Sequence, residues 1–242
     1  MDEKNKITTN YFCTVVTIVK NNREGIERTL KSIVSQSFTN FEYIVIDGGS
    51  SDGTVEIIRN YNKNINLIIS EPDNGIYYAM NKAINLSRGK YIIFINSGDW
   101  LESDILEHVH SISTQEKSDV YYGLVRLWDQ DSNIIGVNGA TIMNIKKEMI
   151  SHSSCFISKD VYNYINYDIK YKSAADYDLI FRILNNQYKF FYIEKIISNF
   201  VLGGISSTKL GFLETNSILF KYKSYGLIKY ILKYIYIKLK SN

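Results

Sequence analysis

Apolar runs and amphipathic segments alternate through the first hundred residues, and this alternation constrains the fold more than any other feature. Continuous runs rich in β-branched residues predict four strands, at residues 12–19, 41–46, 67–70 and 91–95. Helical spacing of apolar residues predicts helices at residues 23–37, 54–61, 75–86 and 102–113. Strands that are apolar on both faces and alternate with helices form a mostly parallel, doubly wound sheet with right-handed crossovers. The sequence therefore predicts an α/β fold.

The second half of the chain has a less regular pattern, which predicts a small antiparallel part. Strand-like runs lie at residues 119–128, 134–137, 151–157 and 189–193, and one helical stripe lies within residues 174–186. No internal repeat or long linker interrupts the chain. We therefore expect one domain over residues 1–210, followed by a basic, amphipathic helical tail over residues 211–242.

Composition narrows the class of protein. The 242 residues are 45% hydrophobic and 22% charged, as expected of a globular chain with an ample core. The two cysteines, Cys13 and Cys155, lie in apolar runs, which favours buried free thiols over a metal cluster. The first ten residues are polar and lack the apolar core of a signal peptide, so we expect a reducing, cytoplasmic location.

Positive charge is concentrated at the C-terminal end. The net charge is +3, yet six lysines and no acidic residue follow Glu214, so the rest of the chain is mildly acidic. Nucleic-acid binding would require basic residues spread over the body of the protein, and we exclude it on this ground.

The tail also has an apolar stripe at helical spacing. Its members are Ile228, Ile231, Leu232, Ile235 and Leu239. Lysines interrupt every apolar window of 18 residues, so the pattern favours a helix that lies on a membrane over one that crosses it. We expect a peripheral contact with an anionic membrane surface. A helix that packs on the domain or on a second copy of the chain is the alternative.

Two polar turns follow the second and fourth predicted strands. The first begins with Asp47 and two glycines, and the second contains Asn96 and Asp99. Ligands of open α/β sheets bind outside the carboxyl ends of the strands, and Mg²⁺ usually takes only one or two carboxylates together with substrate phosphates. The turns indicate either a polyphosphate held with a divalent cation or two ordinary strand–helix connections with helix caps.

Taken in order, several segments resemble the family 2 glycosyltransferases, an inverting family with the GT-A fold. The resemblance runs from about Phe12 to about Ser206 and rests on residues 17–22, 30–38, 41–54, 71–82, 96–99 and 175–179. The subgroup that it resembles makes bacterial cell-surface polysaccharides such as capsule, O-antigen or exopolysaccharide. The resemblance implies an enzyme that transfers a single sugar, with inversion, from a nucleotide-sugar donor to a glycan or lipid-linked acceptor.

The resemblance also implies a role for individual residues. Asp176 would be the catalytic base, and Asp99 would hold the Mn²⁺ or Mg²⁺ ion that neutralises the donor diphosphate. The donor-binding positions would be Thr17, Asp47, Gly48, Asp73, Asn81 and Asn96. The acceptor side of the cleft would carry His152, Gly204 and Ser206.

Departures from the family pattern leave alternatives open. Gly48 stands where many relatives have a second acid that binds uracil, so the base of the donor is open. The metal turn has one acid instead of Asp-x-Asp-Asp, and Ala175 replaces a common Glu. Asp176 could be a helix N-terminal carboxylate and His152 a core histidine. The alternative function is a catalytically weak or inactive sugar-nucleotide-binding protein that assembles a polysaccharide complex. A dehydrogenase is excluded, because no Gly-x-Gly-x-x-Gly follows the first strand.

Overall fold

Nine strands form one sheet in the computed structural model, which describes residues 11–204 and 207–239. The strands are β1 (Cys13–Val19), β2 (Phe41–Asp47), β3 (Leu67–Ser70), β4 (Tyr91–Phe94), β5 (Trp100–Leu101), β6 (Val120–Trp128), β7 (Ile134–Asn138), β8 (Cys155–Ser158) and β9 (Phe190–Val201). The helices are α1 (Arg23–Val34), α2 (Thr54–Arg59), α3 (Ile76–Leu86), α4 (Ile105–Gln115), α5 (Lys159–Tyr162), α6 (Ala175–Asn185), α7 (Lys209–Lys221) and α8 (Leu227–Leu239).

The sheet has a parallel half and a mixed half. Its strand order is β3-β2-β1-β4-β8-β6-β9-β5, and β7 pairs with β6. The first four strands are parallel, whereas β8 runs antiparallel to both β4 and β6. β9 returns parallel to β6, and β5 and β7 are antiparallel to their partners. The predicted mostly parallel α/β sheet with a small antiparallel part is confirmed.

Helices cover both faces of the sheet. Along β1, Val15 and Val19 join the core under α1 and α4, while Val16 and Ile18 join the core under α3 and α6. Side chains alternate between the faces of a strand, so this division follows directly from the period of two. Full burial of each such side chain stabilises the fold by about 1.5–3 kcal/mol. Both predicted free thiols, Cys13 and Cys155, are buried in these cores.

Two parts of the mixed half differ from the predicted strands. The strand predicted at residues 151–157 begins with a 3-10 turn at His152–Ser154, and only Cys155–Ser158 is extended. The strand predicted at residues 189–193 continues to Val201. Its charged residues Glu194 and Lys195 are exposed at a bulge, where the register with β6 jumps from Ile193 to Ile196. The bulge breaks the alternation of faces, which explains why the strand pattern in the sequence ends at Ile193.

The predicted tail consists of two helices with different surroundings. α7 packs on α6 through the buried Ile218 and Leu219, and Tyr222 beyond its end stacks on Phe181 at 4.5 Å. α8 has no buried residue. No helix in the described part of the chain is long and apolar enough to cross a membrane. The division of the chain at residue 210 stays a prediction.

Candidate functional site

The loop between β1 and α1 fastens the two polar turns to each other. Asn21 contacts the first turn: its N–H donates to Ser50 Oγ at 2.7 Å, and its Oδ1 accepts from the N–H of Ser51 at 2.9 Å. Asn22 contacts the second turn, since its Nδ2 donates to the carbonyl oxygen of Ser97 at 3.0 Å. These bonds hold the carboxyl ends of β1, β2 and β4 together as one edge.

The first turn satisfies its own carboxylate. Asp47 ends β2 without exposed surface, and its Oδ2 accepts from the N–H groups of Gly49 (3.2 Å) and Ser50 (3.0 Å) and from the Ser70 hydroxyl (2.7 Å). Gly49 has a φ of +81° and packs against Pro72, so this position requires glycine. The buried Asp47 carboxylate therefore stabilises the conformation of the turn. Its contact with a donor stays a prediction.

Gly48 and Asp73 meet at the outer end of the same edge. A Cβ atom on Gly48 would lie 2.6 Å from Oδ2 of Asp73 and 3.3 Å from Cδ of Lys20. Oδ1 of Asp73 accepts from the N–H of Gly75 at 2.9 Å, ahead of α3. Two of the predicted donor-binding residues therefore lie side by side, next to the exposed Lys20.

The second turn buries the carboxylate of Asp99 just beyond β4. Asp99 is 6% exposed, and its Oδ1 accepts from the N–H of Val201 at 3.1 Å, at the end of β9. Burial raises the pKa of Asp99 to about 7, although His152, the Val201 N–H and Arg28 each act to lower it. Arg28 is held nearby by its hydrogen bond to the carbonyl oxygen of Gly98 at 2.8 Å. A buried carboxylate of this kind favours a bound cation, which would offset the cost of burying its charge.

A chain of hydrogen bonds joins this turn to the start of α6. Nδ2 of Asn96 lies 3.1 Å from Nε2 of His152, and Nδ1 of His152 lies 3.1 Å from Oδ2 of Asp176. When the ring is neutral, Nε2 accepts from this amide and Nδ1 carries the proton that is donated to Asp176. Oδ1 of Asp176 accepts from the N–H of Tyr177 at 2.9 Å and from the Tyr77 hydroxyl at 3.4 Å. Residues predicted for catalysis, acceptor and donor thus share one network.

The protonation of His152 depends on the two carboxylates near it. Burial of the ring lowers the pKa of His152, but the hydrogen bond and charge of Asp176, with the charge of Asp99, outweigh burial and raise it overall. The imidazole therefore carries a positive charge at higher pH than an ordinary histidine. It lies between two acids that the sequence separates by 77 residues.

A cavity of about 360 Å³ opens over this network. Its polar end is formed by Asn96, Ser97, Asp99, His152 and Asp176. The apolar walls come from separate elements of the fold and include Ile76, Met80, Leu127, Met149, Phe200 and Leu202. Gly204 also lines the cavity, and its predicted place on the acceptor side stays a prediction. Apolar walls with a few convergent polar groups are typical of a small-molecule site.

Oxygen atoms without partners are concentrated at the polar end of the cavity. Within the residues that the structure describes, Oδ1 of Asn96 and Oγ of Ser97 are buried without a hydrogen bond. Buried polar atoms are almost always bonded, so these atoms indicate a missing ligand or water. No group of three or more His, Cys, Asp or Glu side chains in that part of the chain could hold a metal alone. Asp99 and Asn96 Oδ1 nevertheless fit an ion that substrate phosphates help to bind.

Other predicted residues lie away from the cavity. Thr17 has no exposed surface and its Oγ1 is 3.0 Å from the hydroxyl of Tyr43, and its contact with a donor stays a prediction. Asn81 uses both amide atoms to hold the backbone of Tyr167, at 2.9 and 3.0 Å. The predicted Ser206 lies outside the described residues.

Several residues in or beside the cavity were not predicted from the sequence. Tyr77 lies within the family-like segment 71–82, but its contact with Asp176 spans 99 positions and has no local signal. Arg28 lies on α1 beside the Asp99 turn, outside the cavity lining, and has no local signal either. The apolar walls, such as Leu127 and Met149, cannot be distinguished from core residues by pattern alone.

Known protein sequences match most of this chain. A family model described as glycosyl transferase family 2 matches residues 14–184. A PGL/p-HBAD biosynthesis glycosyltransferase of Mycobacterium bovis (strain BCG / Pasteur 1173P2) is 29% identical over 187 residues, which are 74% of this chain and 73% of the relative. The uncharacterized glycosyltransferase Rv1514c of Mycobacterium tuberculosis (strain H37Rv) is 30% identical over 179 residues, or 69% and 67% of the two chains.

Solved structures share the fold at lower sequence identity. Staphylococcus aureus TarS 1-349 in complex with UDP-GlcNAc has a TM-score of 0.71 at 19% identity, covering 91% of this chain and 69% of that one. The mannosyltransferase PcManGT of Pyrobaculum calidifontis, in complex with GDP-Man and Mn²⁺, has a TM-score of 0.68 at 14% identity, with coverages of 95% and 70%. These likenesses confirm the GT-A type of fold.

Proposed function

This chain belongs to glycosyl transferase family 2, and from that membership we propose that it transfers a single sugar, with inversion, from a nucleotide-sugar to a glycan or lipid-linked acceptor. One observation carries the proposal: Asp99 and Asp176 line the same cavity and are linked through Asn96 and His152. A carboxylate that can hold a cation and a carboxylate that can accept a proton are the two groups that a single displacement requires.

Asp176 is the base in this proposal. The acceptor hydroxyl loses its proton to Asp176 as its oxygen bonds to the anomeric carbon and the bond to the donor diphosphate breaks. The Nδ1–H of His152 and the Tyr177 N–H hold the two carboxylate oxygens in place. A positioned base contributes about 10²–10⁴ to the rate.

Asp99 and Asn96 would hold Mn²⁺ or Mg²⁺ at the polar end of the cavity. Such an ion, when bound, supplies positive charge beside the leaving diphosphate. The neighbouring structure that contains GDP-Man and Mn²⁺ supports this role. The donor would extend from there across β1 towards Gly48 and Asp73, a distance of two strand spacings or about 10 Å.

The relatives and the tail support a proposal for the product and the location. The curated relatives support a role in bacterial glycan synthesis, and within it we place this chain in surface polysaccharide assembly, such as capsule, O-antigen or exopolysaccharide. We place residues 1–210 as the transferase domain and α8 as a peripheral contact with the inner face of the membrane. Support comes from exposed apolar residues such as Ile228 (78% exposed) and Leu232 (63%), with Lys229 and Lys233 exposed among them. Each lysine near anionic lipid adds about 1 kcal/mol.

Donor turnover by Asp176→Asn tests the proposal. Thermal-shift screening with UDP-, GDP- and dTDP-sugars and Mn²⁺ first identifies a donor that stabilises the protein. Release of nucleoside diphosphate from that donor is then measured, with water in place of the acceptor hydroxyl. We expect a loss of about 10²–10⁴ for Asp176→Asn. The control is Asp160→Asn, an exposed acid of α5 that should keep full activity.

Two outcomes would contradict the assignment. Activity of Asp176→Asn near that of the wild type would remove Asp176 as the base. Donor binding by the wild-type protein without any release of nucleoside diphosphate would instead favour the alternative, a sugar-nucleotide-binding protein without catalysis.

A further inference from the structure

Glu214 of α7 binds three consecutive backbone N–H groups in the segment that leads into α6. Oε1 accepts from the N–H of Lys172 at 2.8 Å, and Oε2 accepts from those of Ser173 (2.8 Å) and Ala174 (3.0 Å). One carboxylate thus fixes three residues of backbone that lie about 40 positions earlier in the chain. Charged acceptors form the stronger class of hydrogen bond.

The segment that leads into α6 is held from another helix and not by an N-cap side chain. The N-cap of α6 is Ala174, which has no side-chain acceptor, whereas Ser, Thr, Asp or Asn usually stands at this position. Glu214 does not bind the first N–H groups of the helix itself, but it fixes the backbone of the three residues that end at the N-cap. Its negative charge also suits the positive end of the α6 dipole.

The segment that Glu214 holds leads directly to the proposed base. Asp176 is the second residue of α6, two positions after Ala174, and both Ser173 and Asp176 line the cavity. Glu214 is not among the residues that line the cavity. Its carboxylate therefore acts on the position of Asp176 and not on a ligand.

The same helix holds α6 at a second point. Asp178 has no exposed surface, and its Oδ1 accepts from Nζ of Lys221 at 2.7 Å and from the Tyr222 hydroxyl at 3.1 Å. Glu214 and Lys221 are seven residues apart on α7, so they lie on one face of that helix. α7 therefore contacts the chain on both sides of Asp176, through Glu214 before it and through Lys221 after it. Together these contacts fix the first turn of α6 along the helix axis and in its rotation about that axis.

We propose that Glu214 is a positioning residue for Asp176 and that α7 is part of the active site's supporting structure. This inference rests on the proposed role of Asp176 as the base. A proton-accepting oxygen must lie within hydrogen-bond reach of the acceptor hydroxyl, and a misplacement of 1 Å can cost about 10²-fold in rate. Loss of these three hydrogen bonds therefore reduces turnover, while the donor, whose proposed site lies at the ends of β1 and β2, keeps its affinity.

Glu214→Gln tests this inference, with the exposed Glu107→Gln as the matched control. We expect kcat for release of nucleoside diphosphate to fall about 10- to 100-fold for Glu214→Gln, with an unchanged Kd for the donor and no change for the control. Hydrogen exchange at the N–H groups of residues 172–174 should become faster in Glu214→Gln only. Unchanged exchange, or unchanged kcat, would overturn the proposal.

The double variant Glu214→Gln/Asp176→Asn separates positioning from general stability. Because Glu214 acts through Asp176, it should cause no further loss once that carboxylate is gone. An equal loss in both backgrounds would show a merely structural role. Full activity of Asp176→Asn would instead refute the proposed base. That result concerns the proposed function and is distinct from a failure of the Glu214 inference. Glu214→Asp keeps the charge on a shorter side chain; if Glu214→Gln does not fold, full activity of Glu214→Asp refutes the inference.

Discussion

Removal of the Asp178 carboxylate should destabilise the protein because it leaves two cationic side chains without their partner. Asp178 is buried without exposed surface and accepts from Nε of Arg182 and Nζ of Lys221, each at 2.7 Å. Removing one partner of a buried ion pair costs about 3–5 kcal/mol. The side chains of Arg182 and Lys221 are 28% and 43% exposed, so water restores part of their solvation. We therefore expect a smaller loss for Asp178→Ala, about 2–3 kcal/mol of unfolding free energy.

Urea denaturation at pH 7 measures this loss, with Asp160→Ala as the exposed control. The control should stay within about 0.5 kcal/mol of the wild type. The corresponding fall in Tm for a chain of this size is roughly 5–10 °C. A change for Asp178→Ala that is no larger than the control would refute the reasoning, since it would mean that Arg182 and Lys221 are solvated equally well without the carboxylate.

The pH dependence of stability provides a second measurement on Asp178. Burial alone would raise the pKa of Asp178, but the hydrogen bonds and charges of Lys221 and Arg182 outweigh burial and lower it. A carboxylate whose pKa is lower in the folded state stabilises the protein above its unfolded pKa of about 3.9, and this share is lost as the pH falls below it. The unfolding free energy of Asp178→Asn should therefore fall less than that of the wild type as the pH is lowered. That of the exposed control, Asp160→Ala, should fall as much as that of the wild type.

Two further predictions concern the cation and the membrane. Asp99→Asn should bind the donor with the same weak affinity in the presence and absence of Mn²⁺, whereas calorimetry should show tighter binding to wild-type protein when Mn²⁺ is added; an equal Mn²⁺ effect in both would remove Asp99 as the ligand. Leu232→Asp should reduce sedimentation with anionic lipid vesicles at unchanged Tm. Ile134→Asp, a similarly exposed residue (59%) on β7, should sediment like the wild type, and equal behaviour of both variants would argue against α8 as the contact.

The parallel half of the sheet could be predicted because its signal is local. Residues 12–19 and 41–46 are apolar on both faces, and this pattern alone indicates covered parallel strands. The local signal also explains why the Thr17 side chain is buried. Ile18 and Val19 continue the strand beyond Thr17, and its side chain points to the same face as Val15 and Val19, into the core.

The hydrogen-bond network of the cavity could not be predicted because its contacts are distant in sequence. His152 contacts Asp176 across 24 positions, and Glu214 contacts Ala174 across 40. No periodicity relates such pairs, and only the packing of β8, α6 and α7 brings them together. The resemblance to a known family suggested that Asp99, His152 and Asp176 belong to one site, and all three line the same cavity, but it gave no role to Glu214 or Tyr77.

The segment Ala175–Asp176–Tyr177–Asp178 offers two candidate bases, and the structure distinguishes them by their partners. Residues two apart on a helix do not share a face, so Asp176 faces the cavity while Asp178 faces α7. Asp178 is neutralised by two cations that lower its pKa, which makes it a weak proton acceptor. Asp176 has no lysine or arginine partner among the ion pairs of the described residues, and its charged neighbour is His152, within the cavity. The acid with the two cationic partners is therefore the less suited to accept a proton, and the proposed base is the acid that faces the cavity.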